Sequence, residues 1–440
     1  MTVRKALWGA AIGSAAMVVA TGGARAQRVD PERPRTLIVG LPPGARADRV
    51  DGTRCGRSLP LPASELRVAW RTALGTFIER APVVDARGGS YMVGVRGDVI
   101  ALTPDGSERW RVLTGATQPG PLALLSDDTV VFADATGQAF AVRDGAVRWR
   151  TRFGRPDVDS PSPLPLDDGG VVVATPRELA LLDADGNERG RVVLPEPVLG
   201  PLLWTSGHVI AVGASGSVWS WLPGAARAER AGAFGSAIDG GAVLTDHTLV
   251  GIAARDSTLL ALDLASGTTA VRATSSRGVW RGPPAVSDAI AFVVSVGSPG
   301  ERVTLIDPSG EDIGRATLPT RAAALVSGSA DAGAPPPLPA GPTPPLVDSA
   351  GTFAFATADG TVGVARFSIG APNRPATSAA AEAAGARVPV DALADICPMP
   401  FGAIGSSSSA PRPVTGLAAL PEQRLLAVCR SGAVLALTGR

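Results

Sequence analysis

Apolar residues recur along this chain in short blocks rather than at helical spacing. Eight blocks form one series: "YMVGV" (91–95), "TVVFA" (129–133), "VVVAT" (171–175), "VIAVG" (209–213), "TLVGI" (248–252), "AIAFV" (289–293), "TFAFA" (352–356) and "LLAVC" (425–429). Each is five residues long, rich in β-branched side chains and bounded by Gly, Asp or Ser, the pattern of a strand buried on both faces. The first six begin 38 to 42 residues apart. A second apolar block follows each one, as in "DVIALTP" (98–104), "AFAVRD" (139–144) and "TLLALD" (258–263). Several of these run into a hairpin turn: Asp105-Gly106, Asp144-Gly145, Asp185-Gly186, Ser266-Gly267 or Ser309-Gly310. Glycine supplies the positive φ that such turns demand. Upstream of most units lies a Pro-containing segment, such as "APVVD" (81–85) or "GPLLW" (200–204).

Four strands per unit and eight units predict an all-β fold, an eight-bladed β-propeller of four-stranded antiparallel blades, with seven blades as the alternative. A single sheet has two apolar faces and cannot bury them alone; radial packing buries both, and closing the ring protects the terminal faces. The outer strand of the seventh unit is expected somewhere within 369–397. The last unit ends with its third strand near Thr438, whereas "RVAWRTAL" (67–74) is an outer strand with no unit before it. The two ends complement each other, so 67–74 is expected to complete the last blade and latch the ring.

Three outer-strand segments share a tryptophan: "LRVAWRTALG" with Trp70, "ERWRVLTG" with Trp110 and "VRWRTRFG" with Trp149. An indole at that place can pack between neighbouring sheets, which makes all three structural; "ERGRV" carries Gly190 instead. Trp204, Trp219, Trp221 and Trp280 fall elsewhere. Trp219 and Trp221 share one strand face, where core packing is expected and an exposed stacking platform is the alternative.

The repeats "VIALTPDGSERWRV" and "AFAVRDGAVRWRT" resemble those of pyrroloquinoline-quinone-type propellers, closely over 67–318 and loosely over 344–438. The resemblance extends to the outer-membrane assembly lipoproteins of this fold, which implies a non-enzymatic scaffold. Its other branch, the quinone- and calcium-dependent oxidoreductases, implies a calcium site and a catalytic carboxylate, and no residues here match them. No cofactor and no metal site are therefore expected.

Residues 1–26 change the picture of where the chain acts. A basic start (Arg4, Lys5), an apolar run from Ala6 to Ala20 and the ending Ala24-Arg25-Ala26 predict a cleaved signal peptide. Gln27 follows the cleavage point, so no cysteine stands there to carry a lipid, and no later run is apolar enough to span a bilayer. Export to the periplasm or outside, without a lipid anchor, is the expectation. Residues 27–66 read as an extended N-terminal arm and 67–440 as the propeller, interrupted by a Pro/Ala/Gly-rich insertion (320–343) and an irregular one (369–413). Those insertions are surface loops or a partner-binding arm.

Charge and chemistry then exclude several classes. Beyond residue 26 stand 38 basic against 40 acidic groups, which argues against a nucleic-acid partner. Lys5 is the only lysine, so Schiff-base chemistry, a P-loop and a Ser-Lys dyad are excluded from the exported chain. His208 and His247 stand one repeat apart, just before the second strand of their units, and read as turn residues. Asp127-Asp128, Asp167-Asp168 and "DADGNE" (183–188) read as turns too, the last departing from a calcium loop in its glycine spacing. A polysaccharide lyase or hydrolase would need acid and base groups converging in the funnel, which the sequence does not display. The expected role is a monomeric, non-catalytic scaffold binding a protein or cell-envelope component. Of the three cysteines, Cys429 reads as a small buried hydrophobe, and Cys55 with Cys397 is the expected disulfide; three reduced thiols or Cys55–Cys429 are the alternatives.

Overall fold

The computed structural model describes residues 46–47, 58–62, 66–154, 161–166, 168–245, 247–275, 279–280, 282–286, 291–296, 301–306, 312–317, 343–356, 361–366, 392–395, 397 and 414–439. All of them lie in one compact unit, Ile38–Arg440. Residues 1–26, where a signal peptide is expected, Cys55, Asp167 and nearly all of both insertions lie outside the described residues.

The fold is a β-propeller of four-stranded antiparallel blades, and the described strands fall into eight sheets. The first sheet shows the plan: Val83–Val84, Ser90–Val93, Asp98–Leu102 and Glu108–Leu113 follow one another from the ring axis outward. Later sheets occupy 119–152, 164–193, 203–233, 243–274, 279–317, 346–395 and 414–439. The seventh sheet finds its outer strand at Ala392–Asp395, inside the stretch where the sequence placed it.

Burial explains the sequence pattern. Second strands such as Ser90–Val93, Val130–Asp134 and Val171–Ala174 are buried at every position, because each sheet lies between two others. Outermost strands have only one such neighbour for their inner edge, and Glu108–Leu113 alternates exposed with half-buried residues. Val83, Tyr91 and Val99 of the first sheet meet Leu122, Phe132 and Phe140 of the second in one cluster, where the two Phe rings stack at 5.2 Å. Comparable clusters join the seventh sheet to the eighth and the eighth to the first. Fully burying each Phe contributes about 1.5–3 kcal/mol. Exposed outer edges carry Arg67, Arg71, Arg148 and Arg152, charges that discourage pairing with another chain.

Closure follows the expectation from the chain ends. Strand Leu66–Ala73 pairs antiparallel with Ala433–Gly439, from Leu66 opposite Gly439 to Ala73 opposite Ala433, as the outer strand of the eighth sheet. A bulge between Val68 and Trp70 turns the indole onto the first sheet. There Trp70 Nε1 donates to the Pro104 carbonyl at 2.9 Å. Trp149 does the same two sheets further on, donating to Ala184 O at 2.9 Å.

Each indole lies flat on a turn glycine. A Cβ on Gly106 would come 2.4 Å from Trp70 Cε3, and one on Gly186 2.5 Å from Trp149 Cδ2. Both glycines also have φ above +80°, so sterics and backbone select the same residue twice. Trp110 differs. It reaches the two-residue turn Asp144-Gly145, and its buried Nε1 has no hydrogen-bond partner. Its ring packs against Tyr91 at a centroid distance of 5.9 Å.

Two expectations follow from these contacts. Replacing Trp70 by Phe removes a hydrogen bond, whereas the same change at Trp110 removes only an unpaired donor. Urea denaturation should therefore show W70F losing about 1 kcal/mol more stability than W110F. Equal losses would assign no worth to the Pro104 bond. Deleting residues 66–74 should leave the eighth sheet with three strands and an open edge, giving a large fall in melting temperature or loss of solubility. An unchanged thermal midpoint would count against closure by this segment.

Candidate functional site

Propeller topology separates two faces. At one end of every sheet lie the turns between first and second strands; at the other lie the sheet-to-sheet connections and the turns between second and third strands. The sequence placed no catalytic residue on either, so each face is built here from its own side chains.

On the first face, aspartates organise the turns. Asp85 accepts from the N–H of Arg87 and Gly89, both at 2.8 Å. Asp348 accepts likewise from Ala350 and Thr352. Each carboxylate thus satisfies donors two and four residues on, the local bonding that makes Asp a turn former. The second oxygen of Asp85 accepts from the Tyr91 hydroxyl at 3.1 Å, and burial raises that phenol's pKa. Asp127 and Asp128 sit in the corresponding turn, paired with Arg143 and Arg87. His208 follows the Ser206-Gly207 turn with Nδ1 3.1 Å from Ser206 O, and the His247 carbonyl accepts from Leu264 N. Asp183 caps "DADGNE" as a hairpin turn, binding the N–H of Asp185 and Asn187. These are turn residues, as the sequence reading has them.

The connection face is tied down by a repeated backbone bond. Val95, Ala135, Ala214 and Ala254 donate to the carbonyls of Phe77, Thr117, Pro197 and Ala237. Each bond fastens a connection to a turn of the following sheet. Exposed apolar groups stand on this rigid rim: Phe77 is 50% exposed and Leu199 43%. Arg430 of the eighth sheet pairs with Glu79 at 2.5 Å, across the point of ring closure. Beside that pair opens a cleft of about 200 Å³ lined by Glu79, Arg80, residues 93–95, Gln118 and Pro119. It is smaller than a typical site for a drug-sized ligand and fits a single side chain.

Charges here serve the rim. Burial opposes ionisation of Glu196, but bonds from the Ser215 N–H (2.7 Å) and the Trp219 indole (3.3 Å) outweigh it and lower its pKa. Hydrogen bonds from Arg111 hold Glu108 below the usual carboxylate range, and Arg191 does the same for Glu188. Trp219 packs with the fully buried Trp221 in the cluster between the third and fourth sheets, which is core packing. Among the described residues, no group of three His, Cys, Asp or Glu side chains converges to hold a metal.

The cysteines require a correction. Cys397 is bonded to Cys429, with Cα atoms 5.6 Å apart, so Cys397 is not the partner of Cys55. Cys429 is buried, as its apolar strand implied, yet burial between two sheets is what brings it to Cys397. Strand Arg424–Cys429 belongs to the eighth sheet, and Cys397 lies just beyond Ala392–Asp395 of the seventh. The bond therefore staples adjacent blades beside the closure. Spacing in the sequence could not reveal this, because the pairing depends on how the two sheets pack against each other.

With the fold and faces described, comparison with known proteins places the chain among β-propellers and finds a similarity to one repeat family over part of its length. The family described as outer membrane protein assembly factor BamB matches residues 13–160 and 138–222. Among solved structures, BamB from Moraxella catarrhalis is similar with a TM-score of 0.55 at 17% identity, over 85% of this chain and 98% of that one. The computationally designed Ika8 protein is similar at 0.57 and 14% identity, over 86% and 99%. The C-terminal WD40 domain of Sif2 gives 0.59 and 11%, over 86% and 99%. At such identities these structures establish the fold alone. No curated protein sequence matches this chain. Among the described residues, no helix is long and apolar enough to cross a membrane.

The staple has a measurable consequence. Closing a loop across a separation of 32 residues should contribute about 3–4 kcal/mol by the chain-entropy estimate. Non-reducing peptide mapping should return a Cys397–Cys429 peptide, and C397S should lower the denaturation midpoint. A Cys55–Cys397 peptide would contradict the assignment.

Proposed function

We propose that this chain is an exported, non-catalytic scaffold, an eight-bladed propeller that docks a protein component of the cell envelope through its connection face. The observation that carries this reading is the rigid rim at the ring closure, with exposed Phe77, the Glu79–Arg430 pair and a side-chain-sized cleft beside that pair. An aromatic anchor beside a charged pair and a small cleft is the composition of a protein-binding patch, since buried aromatics carry most interface energy. Loops held by a rigid frame tolerate change and suit docking. The matching family is described as an outer membrane protein assembly factor, which supports placement in the envelope and a partner there. The signal-like segment 1–26 supports export, and the near-neutral charge supports a protein partner over nucleic acid. On this reading the protein is a monomer that works without a cofactor.

The test is site-specific photocrosslinking in the native envelope. A crosslinker at Phe77 or Glu79 should trap one defined protein, and one at Arg148 on the outer rim should not. Crosslinks from the outer rim alone would move the docking surface elsewhere. Dehydrogenase turnover dependent on added quinone and calcium would replace the scaffold reading with an enzymatic one; none is expected.

A further inference from the structure

One strand lies outside the repeat plan. Arg46–Ala47, from the N-terminal arm, pairs antiparallel with the first strand of the second sheet, Arg46 opposite Leu124 and Ala47 opposite Ala123. That sheet thus has five strands, and the extra one lies on its inner edge, facing the ring axis. It also touches the first strands of the first and third sheets.

The inner edge of any blade is an unfinished ladder, because its first strand offers N–H and C=O groups toward the axis with no partner in its own sheet. The second sheet offers the longer edge here. Its first strand runs over six residues, Pro119–Leu124, against two in the flanking Val83–Val84 and Leu164–Pro165. Pro165 in addition lacks an N–H to donate. Leu122, Ala123 and Leu124 are fully buried in the blade core, so the edge presents backbone rather than side chains. Recognition of that kind selects an extended chain and tolerates many sequences.

The arm is held ready for this edge. Ser58 N donates to Val347 O on the inner strand of the seventh sheet at 2.8 Å. Leu61 N donates to Asp348 Oδ2 at 3.0 Å, with the Leu61 side chain buried between the seventh and eighth sheets. Strand Leu66–Ala73 then anchors the chain on the outside of the eighth sheet. These fastenings keep Arg46–Ala47 at high effective concentration near the axis, while a pairing of only two residues leaves it displaceable.

We propose that residues 122–124 form a strand-docking site for an extended polypeptide, filled in cis by Arg46–Ala47 of this chain. The arm acts as a built-in occupant of the inner edge, and a free segment of the same sequence takes the site when the arm is absent. This inference rests on backbone pairing and stands apart from the scaffold reading.

Hydrogen exchange tests it. In the full chain the amide of Leu124, which faces the arm, should be protected; deleting residues 42–50, or placing Pro at both Arg46 and Ala47, should speed its exchange at least tenfold. A synthetic peptide of residues 40–52 should bind the deletion variant, restore that protection, and bind the full chain at least tenfold more weakly. The proline variant keeps the arm's length, so it decides the matter if the deletion fails to fold. Unchanged exchange in the proline variant would overturn the proposal. So would a peptide that fails to restore protection, or that binds both proteins equally.

Discussion

The ladder between Leu66–Ala73 and Ala433–Gly439 is the interaction on which the structure depends. Every other sheet is completed by residues that follow one another in the chain, so its pairing is local. Only the eighth sheet borrows its outer strand from the far end of the molecule. Without that strand the ring would retain its blades but leave an unpaired edge, and the contact of Trp70 with Pro104 and Gly106 would be lost as well. Closure also organises what surrounds it. The Cys397–Cys429 staple, the Glu79–Arg430 pair and the buried Leu61 all lie within the seventh, eighth and first sheets. Covalent, ionic and apolar contacts thus lie in and beside the sheet that closes the ring.

The tryptophan series shows how one interaction tolerates variation. Trp70 and Trp149 each combine an indole hydrogen bond with a flat contact on a turn glycine. Trp110 keeps the packing and forgoes the bond. At the next place Gly190 replaces the indole, and a Cβ there would stand 3.2 Å from Gly224 Cα. Backbone approach takes over the contact that the ring provides elsewhere. Packing between adjacent blades, rather than any particular residue, is what the repeat conserves within this chain.

The two faces divide the work of the loops. Asp-capped turns finish one face with short, self-satisfied bonds, which leave little free chemistry. The connection face carries longer segments fastened by backbone bonds, and there apolar and charged side chains remain outward. Rigid backbone under exposed side chains lowers the ordering cost of binding, which is why that face is the place for a partner.

The strand pattern, the four-stranded units, the structural tryptophans and the latch could all be read from the sequence, for one physical reason. Each depends on local periodicity: apolar blocks at fixed spacing, D-G turns, and an orphan outer strand that matches its repeats. The aspartate caps were legible in principle, since Asp precedes the turn at a constant offset in "DARGG", "DATGQ" and "DSAGT". What the sequence could not determine arises between elements that only tertiary packing brings together. Cys429 sat in a strand that looked merely apolar, and its partner was decided by which sheet lies beside it. The pairing of Arg46–Ala47 with the second sheet leaves no mark in the arm's composition, because a backbone edge selects by position and not by side chain. Local pattern determined the blades; closure of the ring decided their neighbours.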